Sequence, residues 1–123
     1  DPLIADQFSP DGLNEVYFAN LASDTIGLTI VWGVFNAPLE ERKLVEWDQV
    51  FDDFTYDWSL NGEPGKMDWE NIATHELGHS VGLDDLYQPE CSDATMYGYA
   101  NEGETNKRNL AKGDIFGIRN LYK

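Results

Sequence analysis

The stretch NIATHELGHSVGLDD, residues 71–85, lies where the apolar side chains of the chain recur at helical spacing. Those apolar residues are Trp69, Ile72, Ala73 and Leu77. Asp68 is a residue type that caps the start of a helix, and Gly82 suits the left-handed turn that ends one. We therefore predict a helix over about residues 68–81, followed at once by a turn.

The predicted helix carries the only two histidines of the chain, His75 and His79. Residues four apart share one helix face, and two imidazoles there can bind one zinc ion at about 2.0–2.1 Å each. Glu76 lies about 100° further round the helix than His75, beside the metal rather than on it. Its carboxylate can take a proton from a water that the metal activates. This HExxH arrangement therefore predicts a zinc site with a general base.

A catalytic zinc ion usually has three protein ligands, so a third ligand is needed besides the two histidines. Asp85 lies six residues beyond His79, and the turn at Gly82 can bring its carboxylate back to the metal. Asp84 is the alternative by adjacency. Two glutamates in the glycine-interrupted loop NEGET are more distant alternatives, Glu102 and Glu104. We predict His75, His79 and Asp85 as the ligands.

The composition indicates one acidic globular domain. The 123 residues suffice for a single hydrophobic core, and 23 Asp and Glu against 8 Lys and Arg give a formal net charge of −15. Such a surface repels nucleic acids and anionic membranes, and we exclude both as partners. No apolar run reaches the ~18–20 residues of a membrane span, and no signal-peptide pattern opens the chain. The oligomeric state does not follow from the sequence.

Residues outside this stretch provide two further metal hypotheses. Cys91 is the only cysteine, which excludes an internal disulfide and a cysteine-rich zinc knuckle. A purely structural zinc site usually has four protein ligands, and Cys91 is the one candidate for a fourth. Asp52, Asp53 and Asp57 could bind Ca²⁺ through oxygen atoms, although they lack the spacing of a calcium-loop motif. The alternative for these three aspartates is a solvated acidic loop.

Three segments before the helix alternate in the manner of β-strands. The first is in GLNEVYFANL, with Val16 and Phe18 on one side. The second, TIGLTIVWGVF, places five apolar residues on one face: Ile26, Leu28, Ile30, Trp32 and Val34. The third, LVEWDQVFDD, has one face formed by Val45, Trp47 and Phe51.

The region after the helix contains only one further periodic segment. Residues 83–110 show no strong periodicity, so we predict irregular structure there. KGDIFGIRNLY fits a last helix with an apolar stripe of Ile115, Ile118, Leu121 and Tyr122.

The string HExxHxxGxxD, residues 75–85, resembles the elongated zinc motif of the metzincin metallopeptidases. Most of that clan has histidine at the last place, and an aspartate is seen in some members, such as the snapalysin family. Met96 follows in the irregular region and resembles the methionine that metzincins carry in a turn beneath the metal. Glu102 and Glu104 match instead the ligand position of another clan, the gluzincins.

Three other segments are similar to the matrixin branch of the metzincins. LAKGDIFGIRNLY is similar to its C-terminal helix, and WDQVFDD to the strand before its zinc helix. ATMYGY resembles its methionine turn through Tyr97, whereas Tyr99 also fits the version of that turn in astacins. Over about residues 26–122 the chain therefore resembles a matrixin-like metzincin.

The resemblance implies an α+β fold: a small mixed sheet packed on the zinc-binding helix, an irregular segment with the methionine turn, and a C-terminal helix. It implies one domain, residues 1–123, with an upper part of about 1–82 and a lower part of about 83–123. We find no counterpart of the clan's opening strand and helix, and we expect a fragment, a processed form or a minimal variant. The second, structural zinc of animal matrixins cannot form as it does there, because the chain has no further histidine.

The implied function is that of a secreted zinc endopeptidase with one catalytic zinc ion, acting on peptide or protein substrates. The resemblance implies Glu76 as general base and acid, and Tyr97 or Tyr99 as an oxyanion donor or a pocket wall. IGLTIVWGVF is expected to be the edge strand with which an extended substrate pairs. Two alternatives stay open: a zinc-binding module without catalysis, and a metal-dependent hydrolase of non-peptide amides. Glu76 favours the enzyme, because a structural site needs no base.

Overall fold

Alternating residues form the three strands of the main sheet in the computed structural model, which describes residues 9–22 and 24–123. β1 is Glu15–Ala19, β2 is Gly27–Val34 and β3 is Lys43–Asp52. β3 lies in the centre, parallel to β1 and antiparallel to β2. The sheet is therefore mixed, as predicted, and β2 is one of its edges within the described residues.

α1, Trp69–Ser80, packs on one face of this sheet and carries both histidines. Asp68 caps its start, because the Asp68 side chain accepts a hydrogen bond from the Asn71 N–H. Gly82, just beyond the end of α1, has a φ of +98°. The helix and its two boundary residues are thus as predicted.

Aromatic side chains form much of the core beneath α1. Phe51 is fully buried, and its ring centroid lies 4.5 Å from that of Trp69 and 5.8 Å from that of Trp58. Trp58 belongs to a short strand, β4, Trp58–Ser59, which pairs in parallel with β5, Met67–Asp68, directly before α1. Burial of rings of this size is a main source of the stability that holds α1 on the sheet.

The bulge between β2 and β3 lies in β3. The register shifts between Trp32 and Gly33, and the residue that has no counterpart in β2 is Val45. A bulge interrupts the alternation of the strand that carries the extra residue, which is β3, so Val34 stays on the same face of β2 as Trp32. Leu28, on the face away from α1, is 43% exposed, so that face is only partly buried.

The region after α1 is largely irregular, as predicted. It contains two short 3₁₀ turns, Pro89–Cys91 and Asn106–Arg108, and ends in α2, Lys112–Leu121. The predicted apolar stripe of α2 is only partly buried, since Leu121 is 52% and Tyr122 58% exposed.

These elements confirm the predicted α+β class. Among the helices that the structure describes, none is long and apolar enough to cross a membrane. The expected absence of an opening strand and helix falls partly on residues 1–8, which lie outside the described residues. Residues 9–14 contain neither element.

Candidate metal centre and active site

Backbone carbonyls fix the tautomers of the two histidines on α1. Nδ1 of His75 lies 2.7 Å from the carbonyl oxygen of Thr95, and Nδ1 of His79 lies 2.8 Å from that of Leu83. A carbonyl can only accept, so each Nδ1 carries the proton and donates. In the neutral ring Nε2 then keeps its lone pair, which is the state that ligates a metal.

Asp85 is brought to the histidines by the turn that ends α1. Gly82 takes a left-handed conformation, and the Leu83 N–H donates to the carbonyl of Gly78 at 2.9 Å. As a result, Oδ1 of Asp85 lies 3.0 Å from Nε2 of His75 and 3.3 Å from Nε2 of His79.

Three atoms that are able to ligate a metal ion therefore face one another at the centre of the site. The two Nε2 atoms of His75 and His79 lie 3.2 Å apart, which completes a nearly equilateral triangle with Oδ1 of Asp85. Tetrahedral coordination with bonds of about 2.0–2.1 Å separates ligand atoms by about 3.3 Å, so the triangle fits a zinc ion. Lone pairs aimed at a common point repel one another unless a cation lies between them.

The alternative ligands do not join this group. Within the described residues, His75, His79 and Asp85 are the only set of three or more His, Cys, Asp or Glu whose ligand atoms converge enough to share a metal ion. Glu104 instead accepts hydrogen bonds from Nδ2 of Asn71 and Nζ of Lys107, both at 2.9 Å.

Glu76 lies beside the triangle and lines the same cavity as His75 and Asp85. It is 5% exposed, and its carboxylate is not one of the converging ligands. Oε2 of Glu76 accepts a hydrogen bond from the hydroxyl of Thr29 in β2. A buried carboxylate next to a candidate metal site, but separate from it, is placed to accept and return protons.

Met96 lies beneath α1 and is 2% exposed. A Cβ added to Gly78 would lie 2.1 Å from Sδ of Met96, so this close packing requires glycine in the helix. The preceding residue, Thr95, supplies the carbonyl that orients His75. The carboxylate of Asp114 in α2 accepts the backbone N–H groups of both Thr95 and Met96, at 3.0 and 3.4 Å.

Three tyrosines line the cavity, and sequence reasoning missed one of them. Tyr97 and Tyr99 were predicted, and their ring centroids lie 5.7 Å apart. The third, Tyr87, donates from its hydroxyl to Oδ2 of Asp85 at 3.3 Å. The negative charge of Asp85 raises the pKa of the Tyr87 hydroxyl, with smaller contributions from desolvation and this hydrogen bond. The sequence offered one signal for Tyr87: it is an aromatic residue two positions after Asp85, the predicted third ligand.

Hydrogen-bond donors surround the carboxylate of Asp52, whereas a cation site needs carboxylate oxygens that are free to bind the ion. Its Oδ1 accepts the N–H of Leu21, and its Oδ2 accepts three successive N–H groups, those of Phe54, Thr55 and Tyr56. Burial raises the pKa of the Asp52 carboxyl, but these N–H donors outweigh burial and hold it below its usual value. Within the described residues, Asp52, Asp53 and Asp57 do not form a metal-ligating group, so the structure gives the calcium hypothesis no support.

Comparison with known families decides where the chain belongs. A family model described as matrixin matches residues 39–123, well over half of the chain. The chain belongs to the matrixin family. This confirms the matrixin resemblance of the sequence. Matrixin relatives are metalloendopeptidases, and members of the family use zinc.

Several matrixin relatives are similar over part of their length. Rat matrilysin is 37% identical over 75 residues, which cover 61% of this chain and 26% of the relative. Metalloendoproteinase 5-MMP of Arabidopsis thaliana is 37% identical over 75 residues, covering 54% of this chain and 20% of the relative. Rabbit macrophage metalloelastase is 41% identical over 51 residues, which cover 42% of this chain and 10% of the relative. The chain thus spans about a quarter or less of the matrixins that it matches.

Proposed function

We propose that this matrixin chain is a zinc-dependent endopeptidase whose metal ligands are His75, His79 and Asp85. The observation that carries the proposal is the convergence of two Nε2 atoms and one carboxylate oxygen within 3.0–3.3 Å of one another. These donors form the HExxHxxGxxD set of the snapalysin type. A zinc ion bound there supplies a Lewis acid that polarises the scissile carbonyl and makes a water more acidic.

Glu76 is the proposed general base and acid. Its carboxylate faces the cavity beside the ligands without joining them, so it can accept a proton from the attacking water. The same oxygen then returns the proton to the leaving amine. The burial of Glu76 keeps bulk water from competing for that proton.

Asp85 distinguishes this site from a site with three histidines. A carboxylate makes the metal site about one charge unit less positive than a third imidazole does. We therefore expect weaker polarisation of the substrate and a water that ionises less readily. Tyr87 offsets part of the carboxylate charge through its hydrogen bond to Oδ2 of Asp85.

The outer edge of β2 is the proposed binding strand for an extended peptide. β2 pairs with β3 on one side, and within the described residues no strand pairs with its other side. A substrate added there would form backbone hydrogen bonds as a further strand. Tyr97 and Tyr99 line the adjoining cavity and would form one wall of the pocket or donate to the oxyanion.

The position of this cavity supports the proposed division of the chain into an upper and a lower part. Its lining includes Gly27 and Glu76 from the proposed upper part, residues 1–82, and Asp85 and Tyr99 from the lower part, 83–123. We propose that substrate binds between these two parts, and that the protein works outside the cytoplasm, as the metzincin resemblance implies. Ca²⁺ is not part of the proposal.

A zinc-binding module without catalysis is the second candidate function. The geometry of the three ligand atoms alone is compatible with it, and the chain spans about a quarter or less of the length of the matrixin relatives that it matches. This candidate shares the metal ligands with the first. It differs in predicting no role for the carboxylate of Glu76.

Hydrolysis of casein by the zinc-loaded chain tests the proposal. We expect cleavage by the wild type, loss of cleavage with a chelator, and a loss of at least about 100-fold in Glu76→Ala and Glu76→Gln. Glu70→Gln, which changes an exposed glutamate on the same helix, is the matched control and should retain activity. One tightly bound zinc per chain without any cleavage would instead support the non-catalytic module. Hydrolysis of small amides but not of peptides would support the non-peptide amidohydrolase.

A further inference from the structure

A hydroxyl from the edge strand of the sheet contacts the carboxylate of the proposed base. Oγ1 of Thr29 in β2 lies 2.5 Å from Oε2 of Glu76 in α1 and 3.2 Å from the backbone carbonyl oxygen of the same residue. Carboxylate and carbonyl oxygens only accept, so the single hydroxyl proton of Thr29 is donated to Glu76. The contact joins residues 47 positions apart in the chain.

Both ends of this hydrogen bond are held by rigid backbone. Thr29 pairs with Gln49 in the β2–β3 ladder, and Glu76 lies within α1. A β-branched residue such as threonine has few accessible χ1 rotamers, so its hydroxyl has a nearly fixed direction. Glutamate alone has several rotatable bonds, and its carboxylate would sample several positions without such a partner.

The bond occupies one carboxylate oxygen and leaves the other beside the cavity. A Cβ added to Gly27 would lie 3.1 Å from Oε1 of Glu76, and both residues line the cavity. The absence of a side chain at Gly27 therefore leaves room for Oε1. One oxygen is held by Thr29 while the other remains available for proton transfer.

We propose that Thr29 is a positioning residue that holds the carboxylate of Glu76 in its working orientation. The proposal rests on the proposed function of Glu76 and adds a residue to it. None of the metal ligands contacts Thr29 among the hydrogen bonds of the described residues, so the effect on the base is separable from metal binding. β2 thus serves the reaction twice: its backbone edge receives the peptide, and one of its side chains orients the base.

A purely structural connection between sheet and helix is the competing explanation, and the protein contains a matched example. Nε2 of Gln49 in β3 donates to Oγ of Ser80 in α1 at 2.9 Å, which also joins the sheet to the helix. This bond lies one helical turn from Glu76 and does not involve its carboxylate. Ser80→Ala therefore removes a sheet–helix hydrogen bond without removing the donor to the base.

The experiment compares zinc-loaded wild type, Thr29→Val, Thr29→Ser and Ser80→Ala. Thr29→Val keeps the shape of the side chain and removes the hydroxyl. We expect kcat for a fluorogenic peptide to fall about tenfold, because a hydrogen bond to a charged group biases a rotamer equilibrium by at least that factor. KM and the zinc Kd should stay within about twofold, and Thr29→Ser should recover most of kcat, since neither the peptide-binding edge nor the ligands change.

Two outcomes would overturn the proposal: a kcat for Thr29→Val no lower than that of Ser80→Ala, or a loss of zinc affinity that matches the loss of kcat. Crystal structures of the zinc-loaded wild type and Thr29→Val give a reading that does not depend on activity. We expect one Glu76 rotamer in the wild type and more than one, or a displaced one, in Thr29→Val. An unchanged rotamer refutes the positioning role. If the wild type itself does not cleave peptides, the proposed function fails and these structures alone decide the role of Thr29.

Discussion

Asp85 and Asp52 show two different uses of a carboxylate in the same acidic chain. Four backbone N–H groups surround the oxygens of Asp52, whereas Oδ1 of Asp85 faces two imidazole nitrogens that carry lone pairs. Donors around a carboxylate satisfy its charge and hold the local backbone. Lone pairs around a carboxylate leave its charge unsatisfied, and only a cation or a proton can join them. The neighbours of a carboxylate therefore indicate its role better than its own residue type does.

Asp68 and Asp114 are of the same kind as Asp52. Asp68 accepts the N–H groups of Gly62 and Asn71 and pairs with the guanidinium of Arg108. Asp114 accepts three backbone N–H groups, those of Thr95, Met96 and Ala111. Each of these aspartates joins segments that are distant in sequence, so we expect their loss to lower stability.

The largest expected effect is the loss of zinc binding in Asp85→Ala. Removal of a hydrogen-bond partner of a ligand typically lowers metal affinity by about 10–100-fold, so removal of the ligand itself should exceed that range. A competition titration with a chromogenic chelator measures the zinc Kd. Asp84→Ala, at the adjacent position that is not part of the ligand group, is the control and should retain wild-type affinity. Equal losses in the two variants would mean that Asp85 is not the third ligand.

Asp114→Asn should affect both stability and the metal site. The amide keeps one acceptor oxygen and replaces the other with a donor that faces backbone N–H groups, so the Thr95–Met96 segment should shift. Because Thr95 orients His75, we expect zinc affinity to fall about tenfold along with a lower Tm. Calorimetry and the chelator titration measure the two effects. A lower Tm with unchanged zinc affinity would show that the orientation of His75 does not depend on Asp114.

Asp52→Asn should lower stability and leave the metal site unchanged. Its Oδ2 accepts three N–H groups of residues 54–56, and an amide nitrogen in that place would leave donors unpaired. We expect Tm to fall by at least about 5 °C and the zinc Kd to stay within about twofold. Asp53→Asn, an exposed neighbour, controls for the change in net charge. A reduced zinc affinity in Asp52→Asn would contradict the separation of the two kinds of carboxylate.

The smallest expected effect is a dependence of stability on acid pH. The hydrogen bonds from Arg108 hold the pKa of Asp68 below the usual 3.8, and the N–H donors around Asp52 lower its pKa against the effect of burial. The unfolded chain therefore binds protons more readily, and stability falls as pH drops below about 4 through the lower pKa values of the folded state. Urea unfolding of the metal-free chain between pH 5 and 2 measures the slope. Asp68→Asn should flatten it, whereas Asp93→Asn, on the surface, should not.

The sequence was sufficient for features that depend on residues close together in the chain. The helix with His75 and His79 follows from apolar periodicity and from Asp68 as its cap. The left-handed turn at Gly82 follows from the residue type. Helix geometry and this turn were enough to predict that Asp85 approaches the histidines, because the three residues lie within one short segment.

Features that depend on distant contacts could not be predicted in this way. The hydroxyl of Thr29 meets Glu76 only because β2 pairs with β3 in one register and α1 packs on that face. The bulge at Val45 interrupts the otherwise regular alternation of β3. The N–H groups around Asp52 belong to the backbone, so no residue type in the sequence marks them as its partners. Tertiary packing decides each of these features.

The shortness of the segment that holds all three proposed ligands also bears on folding. Residues 75–85 contain both imidazoles and the carboxylate, and the entropy lost in closing so short a loop is small. Zinc bound there would crosslink little of the unfolded chain, in contrast to small domains in which a metal joins distant segments and makes folding conditional on its presence. The strand pairing of the sheet and the ring contacts of Phe51 involve none of the three proposed ligands. The protein should therefore exist as a folded apoprotein that can release its ion and take it up again.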